Sequence, residues 1–233
     1  RKNQLKRPPV CNLDYLGIVL AVNHPKPDLL LVDKLILSAN INSVKPFIII
    51  NKIDLAICEN EIKQIEEIYV LTGCDIFRVC CKDRTGIDRL MNELGDGITT
   101  FAGQSGAGKS SLINELYPDL SLEVGSISSR IKKGRHTTRN VQLILLPDGR
   151  MVVDTPGFSA IDTIDILPGE VQYHYPEFIP YLNQCQFVGC VHDKEPQCSI
   201  KDAVERGEIS KERYTGYIRI IDEIRERRRE QWW

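Results

Sequence analysis

Residues 103–110 read GQSGAGKS, a complete G-x-x-x-x-G-K-[ST] pattern. Gly103, Gly106 and Gly108 leave the backbone free to turn its N–H groups inward, which makes a cradle for phosphate oxygens. A helix starting near Lys109 would add its positive N-terminal end. Lys109 then reaches the β and γ phosphates, as a binding and a catalytic group. Ser110 supplies a hydroxyl ligand for Mg²⁺. Gln104, Ser105 and Ala107 contribute mainly backbone, and Ser111 follows in the same first helical turn. The chemistry such a loop serves is the binding and cleavage of a nucleoside triphosphate.

A second group lies downstream. Residues 151–157 read MVVDTPG, an apolar strand ending in Asp154. That carboxylate fits the metal side of the phosphate site, reaching Mg²⁺ through water. Gly157 can offer its N–H to the γ phosphate. The intervening residues 130–140, RIKKGRHTTRN, have the composition of a loop that closes over a triphosphate. Either Thr137 or Thr138 would meet Mg²⁺ and the γ phosphate there, and Arg135 and Arg139 would offset phosphate charge. Many nucleotide hydrolases place a water-orienting Gln directly after D-x-x-G. Phe158 holds that position and cannot orient water, so turnover is expected to be slow or assisted. His136 is the polar candidate for holding the attacking water; its rival role is contact with phosphate or RNA.

The base-reading group comes earlier in the chain. Residues 47–55, FIIINKIDL, deliver Asn51, Lys52 and Asp54 from the end of a strongly apolar strand. A carboxylate accepts from both the N1–H and the exocyclic amine of guanine, a donor pair that adenine lacks. The Asn amide contacts N7 or pins neighbouring loops, and the Lys stem covers the ring face. The N-K-x-D tetrad is the guanine selector of small GTPases. Cys80 and Cys81, at a later strand end before Lys82, stand where such proteins carry Ser-Ala-Lys. Either cysteine has a backbone N–H for the guanine carbonyl; a plain core role explains the side chains equally well.

Cys185, Cys190, His192 and Cys198 form the spacing C-x4-C-x-H-x5-C. Four soft or borderline ligands within fourteen positions suit structural zinc with no open coordination position. The other cysteines of the eight, at 11, 58, 74, 80 and 81, read as small buried hydrophobes in a reducing compartment.

These groups need elements to hold them. Strands are expected at 16–22, 46–50, 76–80 and 98–102, and helices at 29–39, 59–70, 87–94 and 109–116. A strand pair, 141–146 with 151–153, is expected around Pro147, Asp148 and Gly149. This alternation specifies an α/β fold with a largely parallel sheet. From about residue 170 the composition changes to clustered aromatics, then the cysteines, then a charged helical stretch in which Ile218, Ile221 and Ile224 share a face. The run RERRRE at 225–230 reads as a solvated helical end or an RNA contact. Residues 1–12 read as a basic, proline-containing linker. A formal charge of −2 gives no global attraction to nucleic acid. No apolar run reaches transmembrane length, and no export signal is visible.

The motif set resembles the ribosome small subunit-dependent GTPase A family, RsgA, YjeQ and YloQ. The matching stretches are NKIDL at 51–55, GQSGAGKSSLIN at 103–114, GRHTT at 134–138, DTPGF at 154–158 and CQFVGCVHDKEPQCSI at 185–200. Their order is permuted, with the base-reading half before the phosphate half. The resemblance implies a P-loop NTPase fold, a circularly permuted GTPase domain over 13–170, followed by a zinc-binding, mostly helical domain over 171–233. It implies an OB-fold upstream of the 1–12 linker. It also implies a cytoplasmic, monomeric protein that binds GTP, GDP, Mg²⁺ and one structural Zn²⁺ and engages neither membrane nor DNA. Its partners would be the 30S subunit and 16S rRNA, in late subunit maturation, with hydrolysis stimulated by that subunit. Family usage favours Thr138 over Thr137, and Gly106 stands where potassium-dependent relatives carry Asn. The rival functions are a nucleotide-gated rRNA-binding module with incidental turnover and an adenine-specific ATPase.

Overall fold

The structure, a computed structural model, describes residues 13–118, 142–145, 149–154 and 166–231. The switch candidates His136, Thr137, Thr138 and Gly157, and also Arg135, Arg139 and Phe158, lie outside the described residues.

A six-stranded sheet forms the centre, in the order β3-β2-β1-β4-β6-β5. The strands are β1 (Tyr15–Ala21), β2 (Lys45–Asn51), β3 (Asp75–Arg78), β4 (Ile98–Gly103), β5 (Gln142–Leu145) and β6 (Met151–Asp154). All neighbours run parallel except β5, which returns antiparallel on β6 with Leu145 opposite Met151. That hairpin is the strand pair expected from the alternation around Gly149.

The first three strands build one half of the sheet and the last three the other. They meet where β1 pairs with β4, Val19 standing opposite Gly103. Strand order runs outward in both directions from this seam. A crevice therefore opens at the C-terminal ends of the two central strands, the usual ligand position in such sheets. The central strands are buried on both faces, which explains their near-continuous apolar sequences.

Helices cover the sheet: α1 (Leu29–Ile41), α2 (Glu59–Tyr69), α3 (Ile87–Glu93) and α4 (Lys109–Leu116). One core lies between α3, α4 and the sheet around Phe47, Phe101 and Leu112. The opposite core lies under α1 and α2 around Ile18, Leu35, Ile48 and Ile65. Helix α1 starts where the sequence places it, because Asp28 accepts from the Leu31 amide at 3.1 Å.

A third core belongs to the C-terminal part, built by two 3₁₀ segments (Pro168–His174 and Pro176–Tyr181), α5 (Ser199–Glu205) and α6 (Lys211–Gln231). Prolines at 168, 176 and 180 remove the amide donors a longer α-helix would use. Tyr175, Phe178 and Tyr217 pack as a ring cluster, with centroids 4.8–5.2 Å apart. Leu37 of α1 also belongs to this core, so the sheet unit and the C-terminal unit share a helix. The buried stripe of α6 is wider than three isoleucines. It comprises Arg213, Gly216, Tyr217, Ile220, Ile221 and Ile224, with Ile218 at its edge. The scattered cysteines depart in part from the burial expected of them. Cys74 and Cys80 are buried, but Cys58 is exposed and Cys81 is half-buried. Cys58 caps the N-terminus of α2 in an extended backbone conformation, which leaves its thiol outside the packed layer.

Candidate nucleotide site and metal centre

The phosphate-loop sequence lies between β4 and α4, as a turn over 104–108. Gly108 has φ +96°, and a Cβ there would collide with Asn51 Nδ2. Only glycine satisfies both conditions. Ala107 is fully buried beneath the loop, whereas Ser105 and Gly106 are exposed at its rim. Ser110 and Ser111 sit partly exposed in the first turn of α4. The Lys109 ammonium donates to the carbonyls of Gly103, at 2.7 Å, and Gln104, at 2.9 Å. It is held against the loop backbone, where burial lowers its pKa. Asp154 ends β6, whose Val153 stands opposite Thr100 of β4. Its backbone is thus delivered to the same end of the sheet as the loop.

The base-reading residues converge on this loop from β2. Asn51 is buried, and its Nδ2 donates to the Ala107 carbonyl at 2.9 Å. Its Oδ1 accepts from the Lys52 amide at 2.8 Å and faces the Cys81 thiol at 3.6 Å. The partners fix which way the amide points. Lys52 has φ +59°, a left-handed turn that ends the strand and swings its side chain across the crevice. Its Nζ donates to the carbonyls of Gly106 and His24, both at 2.8 Å. Asp54, in the single 3₁₀ turn Ile53–Leu55, keeps its carboxylate partly exposed with Lys82 Nζ at 3.5 Å. The Cys80 segment is tied to the strand end by Val79 N–H to Ile50, and the Cys80 amide is used by the Thr85 carbonyl at 2.9 Å. That engagement leaves Cys81, of the two cysteines, as the one whose amide is available to a ligand carbonyl. Burial pushes the Cys81 thiol up to about 11.

The arrangement offers three things at one rim: backbone and a cation for phosphates, hydroxyls for a divalent ion, and a carboxylate with two-donor specificity for guanine. The comparisons with known proteins agree. The family model for the RsgA GTPase matches residues 1–164. The chain belongs to the RsgA GTPase family. The small ribosomal subunit biogenesis GTPase RsgA of Clostridium kluyveri is 42% identical over 224 residues, covering 96% of this chain and 77% of that protein. Its counterpart in Ruminiclostridium cellulolyticum is 40% identical over 226 residues, covering 97% and 73%. Among solved structures, YjeQ from Thermotoga maritima matches with a TM-score of 0.76 at 35% identity, over 91% of this chain and 71% of that one. YloQ, described as a circularly permuted GTPase, matches at 0.75 and 35% identity, over 97% and 73%. The circular permutation inferred from motif order is therefore the architecture of this RsgA-family chain.

The metal centre of this RsgA-family chain lies in the C-terminal unit. The ligand atoms of Cys185, Cys190, His192 and Cys198 all fall within 4.8 Å of one another. Cys185 and Cys198 sulfurs are 3.8 Å apart. His192 Nδ1 lies 3.5, 3.4 and 3.2 Å from the sulfurs of Cys185, Cys190 and Cys198. A tetrahedron with Zn–S legs of about 2.3 Å has S–S edges of about 3.8 Å, so the donor set fits Zn²⁺. His192 reaches the cluster from a left-handed backbone, φ +59°. Its other nitrogen, Nε2, lies 2.7 Å from the Gln172 Oε1. Gln172 is an acceptor there, so Nε2 carries the proton and Nδ1 is the ligand. Tyr214 and Tyr217 hydroxyls hold the carbonyls of His192 and Val191 at 2.7 and 3.0 Å. Burial raises the Cys190 and Cys198 thiols, Cys190 to about 12, so zinc binding must release thiol protons. All four ligands were legible from spacing. Gln172 was not, because nothing links a glutamine to a histidine twenty residues later until the chain folds.

No helix among the described residues is long and apolar enough to cross a membrane.

Proposed function

We propose that this chain binds GTP and GDP with Mg²⁺, hydrolyses GTP, and uses that cycle in late maturation of the 30S ribosomal subunit, with hydrolysis stimulated by the subunit. The observation that carries the reading is the bond from Asn51 to Ala107, which joins the guanine-reading strand end to the phosphate loop. A plain phosphate loop would not need that link.

In this reading Asp54 accepts from the two guanine donors. Lys52 covers the ring face, and the Cys80–Cys81 segment supports the guanine carbonyl. Gly103, Gln104, Ser105, Gly106, Ala107 and Gly108 wrap the phosphates. Lys109 leaves its two carbonyl partners for β- and γ-phosphate oxygens and stabilises the charge that develops as the γ-phosphoryl group departs. Ser110, with Ser111 beside it, Asp154 and either Thr138 or Thr137 would hold Mg²⁺, which would offset the charge of the phosphate oxygens. Gly157 would meet the γ phosphate, and His136 would position the attacking water. Water attacks the γ phosphorus, the bond to the β–γ bridging oxygen breaks, and GDP and phosphate leave.

The reading divides the chain into a GTPase domain over 13–170, a zinc-binding helical domain over 171–233 and a linker over 1–12. Ile166 already packs inside the C-terminal core, a few residues ahead of that boundary. A single copy engages the 30S subunit and its 16S rRNA, and neither DNA nor a membrane takes part. A cytoplasmic location follows from the ribosomal partner and from a thiol-rich metal centre that needs reducing surroundings.

The test is phosphate release by the full-length protein with and without purified 30S subunits. Stimulation of ten-fold or more is expected. Turnover indifferent to the subunit sinks the coupled-enzyme reading, and equal affinity for ATP and GTP sinks the guanine assignment.

A further inference from the structure

Arg213 of α6 is 1% exposed, among the most deeply buried residues of the chain. Its Nη1 donates to Asp33 Oδ1 of α1 at 2.6 Å, and its Nε donates to Glu177 Oε1 at 2.7 Å. The guanidinium carbon lies 4.4 Å from the Tyr175 ring centroid and 5.8 Å from that of Tyr69 in α2. One turn on, Gly216 brings the α6 backbone so near Asp33 that a Cβ would strike its Oδ2. Four elements of two structural units thus close on one cation.

Stability alone does not account for this network. Two carboxylates face one guanidinium, all desolvated. Glu177 Oε2, Arg213 Nη2 and the Tyr175 hydroxyl have no partner among the described residues. Apolar side chains of equal volume usually serve stability as well as, or better than, such an arrangement. What it does supply is a fixed position and rotation for α1 against α6.

Helix α1 leads back to the nucleotide site. The loop over 22–28 enters it directly and is gripped by the site. Asn23 Nδ2 donates to the Leu55 carbonyl at 3.3 Å and to Glu61 Oε2 at 3.0 Å, at the far end of the base-reading turn. His24 shares the Lys52 ammonium with Gly106 of the phosphate loop. The Pro25 ring packs beside Gly106.

We propose that Arg213 is a positioning residue for the nucleotide site: by holding Asp33 it sets helix α1, and so the 22–28 loop through which Lys52 and Gly106 are braced. The C-terminal unit then acts on nucleotide retention without touching nucleotide. The inference rests on the guanine-nucleotide reading above. It needs no movement of the D-x-x-G segment, and it makes α1 a route between the zinc-bearing unit and the phosphate loop.

The test replaces the ionic cluster by a neutral one of similar volume, Asp33→Asn, Glu177→Gln and Arg213→Met together. Thermal midpoint and zinc content report folding, and dissociation of fluorescent GDP reports the site. A zinc-loaded variant with a wild-type midpoint is expected to release GDP about ten-fold faster. An unchanged dissociation rate in that variant overturns the proposal. If the triple variant does not fold, Arg213→Lys carries the test, because it keeps the charge but cannot fork to both carboxylates; about three-fold faster release is expected, and an unchanged rate overturns the proposal. Failure of the wild-type protein to bind GDP would instead sink the underlying reading.

Discussion

Asn51 Nδ2 donates to the carbonyl oxygen of Ala107 at 2.9 Å, joining the end of β2 to the phosphate loop across 56 residues of chain. Both groups are buried, so neither has water as a fallback. Asn51→Ala leaves the Ala107 carbonyl and the Lys52 amide without their partner. A buried orphan of this kind costs about 1–3 kcal/mol. Affinity for GDP should therefore fall about ten-fold or more, with a smaller loss of thermal stability. Titration calorimetry and a melting curve on the same variant separate the two. An unaltered GDP affinity would show that this bond does not shape the site.

The Asp54 carboxylate is partly exposed and its nearest cation is the Lys82 ammonium. Asp54→Asn exchanges an acceptor for a donor on one side. Guanine, with two donors, then loses one partner and meets a repulsive one. Xanthine carries an oxygen in place of the exocyclic amine and gains a bond. Preference should swing from GTP toward XTP by about a hundred-fold or more in relative affinity, since each mismatched polar contact costs on the order of 1–3 kcal/mol. Competition between the two nucleotides for fluorescent GDP measures it directly.

Much of the phosphate and base machinery was legible because its residues come in contiguous strings, each at a strand end. The strand–loop–helix around 103–110 is specified locally: apolar β4, glycines, then a helix-forming run. The zinc ligands are nearly as local, spread over fourteen positions. What sequence did not reveal is long-range pairing of single side chains. Arg213 is buried on an otherwise apolar helical stripe, and its partners Asp33 and Glu177 lie 180 and 36 residues away. Cys58 departs from expectation for a related reason. Apolar character argues for burial, but whether a helix-capping position is buried depends on what packs over that helix end: Cys58 stands exposed at the start of α2, whereas Cys198, at the start of α5, is buried in the metal centre.

Cys81 tests the same base segment by chemistry. Its thiol faces Asn51 Oδ1, and burial pushes it up to about 11. Deprotonation would place a charge in a largely buried site, which desolvation opposes first and the nearby Glu115 carboxylate second. At neutral pH iodoacetamide should therefore modify the exposed Cys58 well before Cys81, and Cys81 labelling should climb only as pH approaches about 11. Bound GDP should slow it further. Peptide mass spectrometry after timed labelling reads each site, and rapid Cys81 alkylation at neutral pH would contradict that burial.

Gln172 should matter to zinc although it touches no metal. Its Oε1 takes the Nε2 proton of His192 and so keeps Nδ1 toward the sulfurs. Gln172→Leu leaves that proton buried and unpaired and frees the ring to rotate. Partners of metal-ligating histidines typically contribute about ten- to a hundred-fold in metal affinity. Competition with a chromophoric chelator should show a loss in that range, while Cys190→Ser should lose more. Equal zinc affinity in Gln172→Leu and wild type would mean that the tyrosine-held backbone alone orients His192.

Asp33 gives the ionic cluster a pH signature. Burial raises its pKa from 3.8 to about 6, against the lowering effect of Arg213. The groups facing it are Arg213 from α6, Glu177 from the second 3₁₀ segment and Tyr69 from α2. A carboxyl with a raised folded-state pKa binds its proton more tightly folded than unfolded. Its contribution to stability is therefore full below about pH 4 and is lost as pH rises to about 6, then stays constant. The variant Asp33→Asn has no proton to lose at this position, so the difference in stability between wild type and variant isolates the group. Wild type should lose on the order of 2–3 kcal/mol relative to the variant between those limits, since each ten-fold difference in proton affinity between the folded and unfolded states is worth about 1.4 kcal/mol. Denaturant unfolding at closely spaced pH values measures it. A difference that grows with pH instead would mean that Arg213 outweighs burial and that Asp33 is ionised throughout, a tighter clamp on α1.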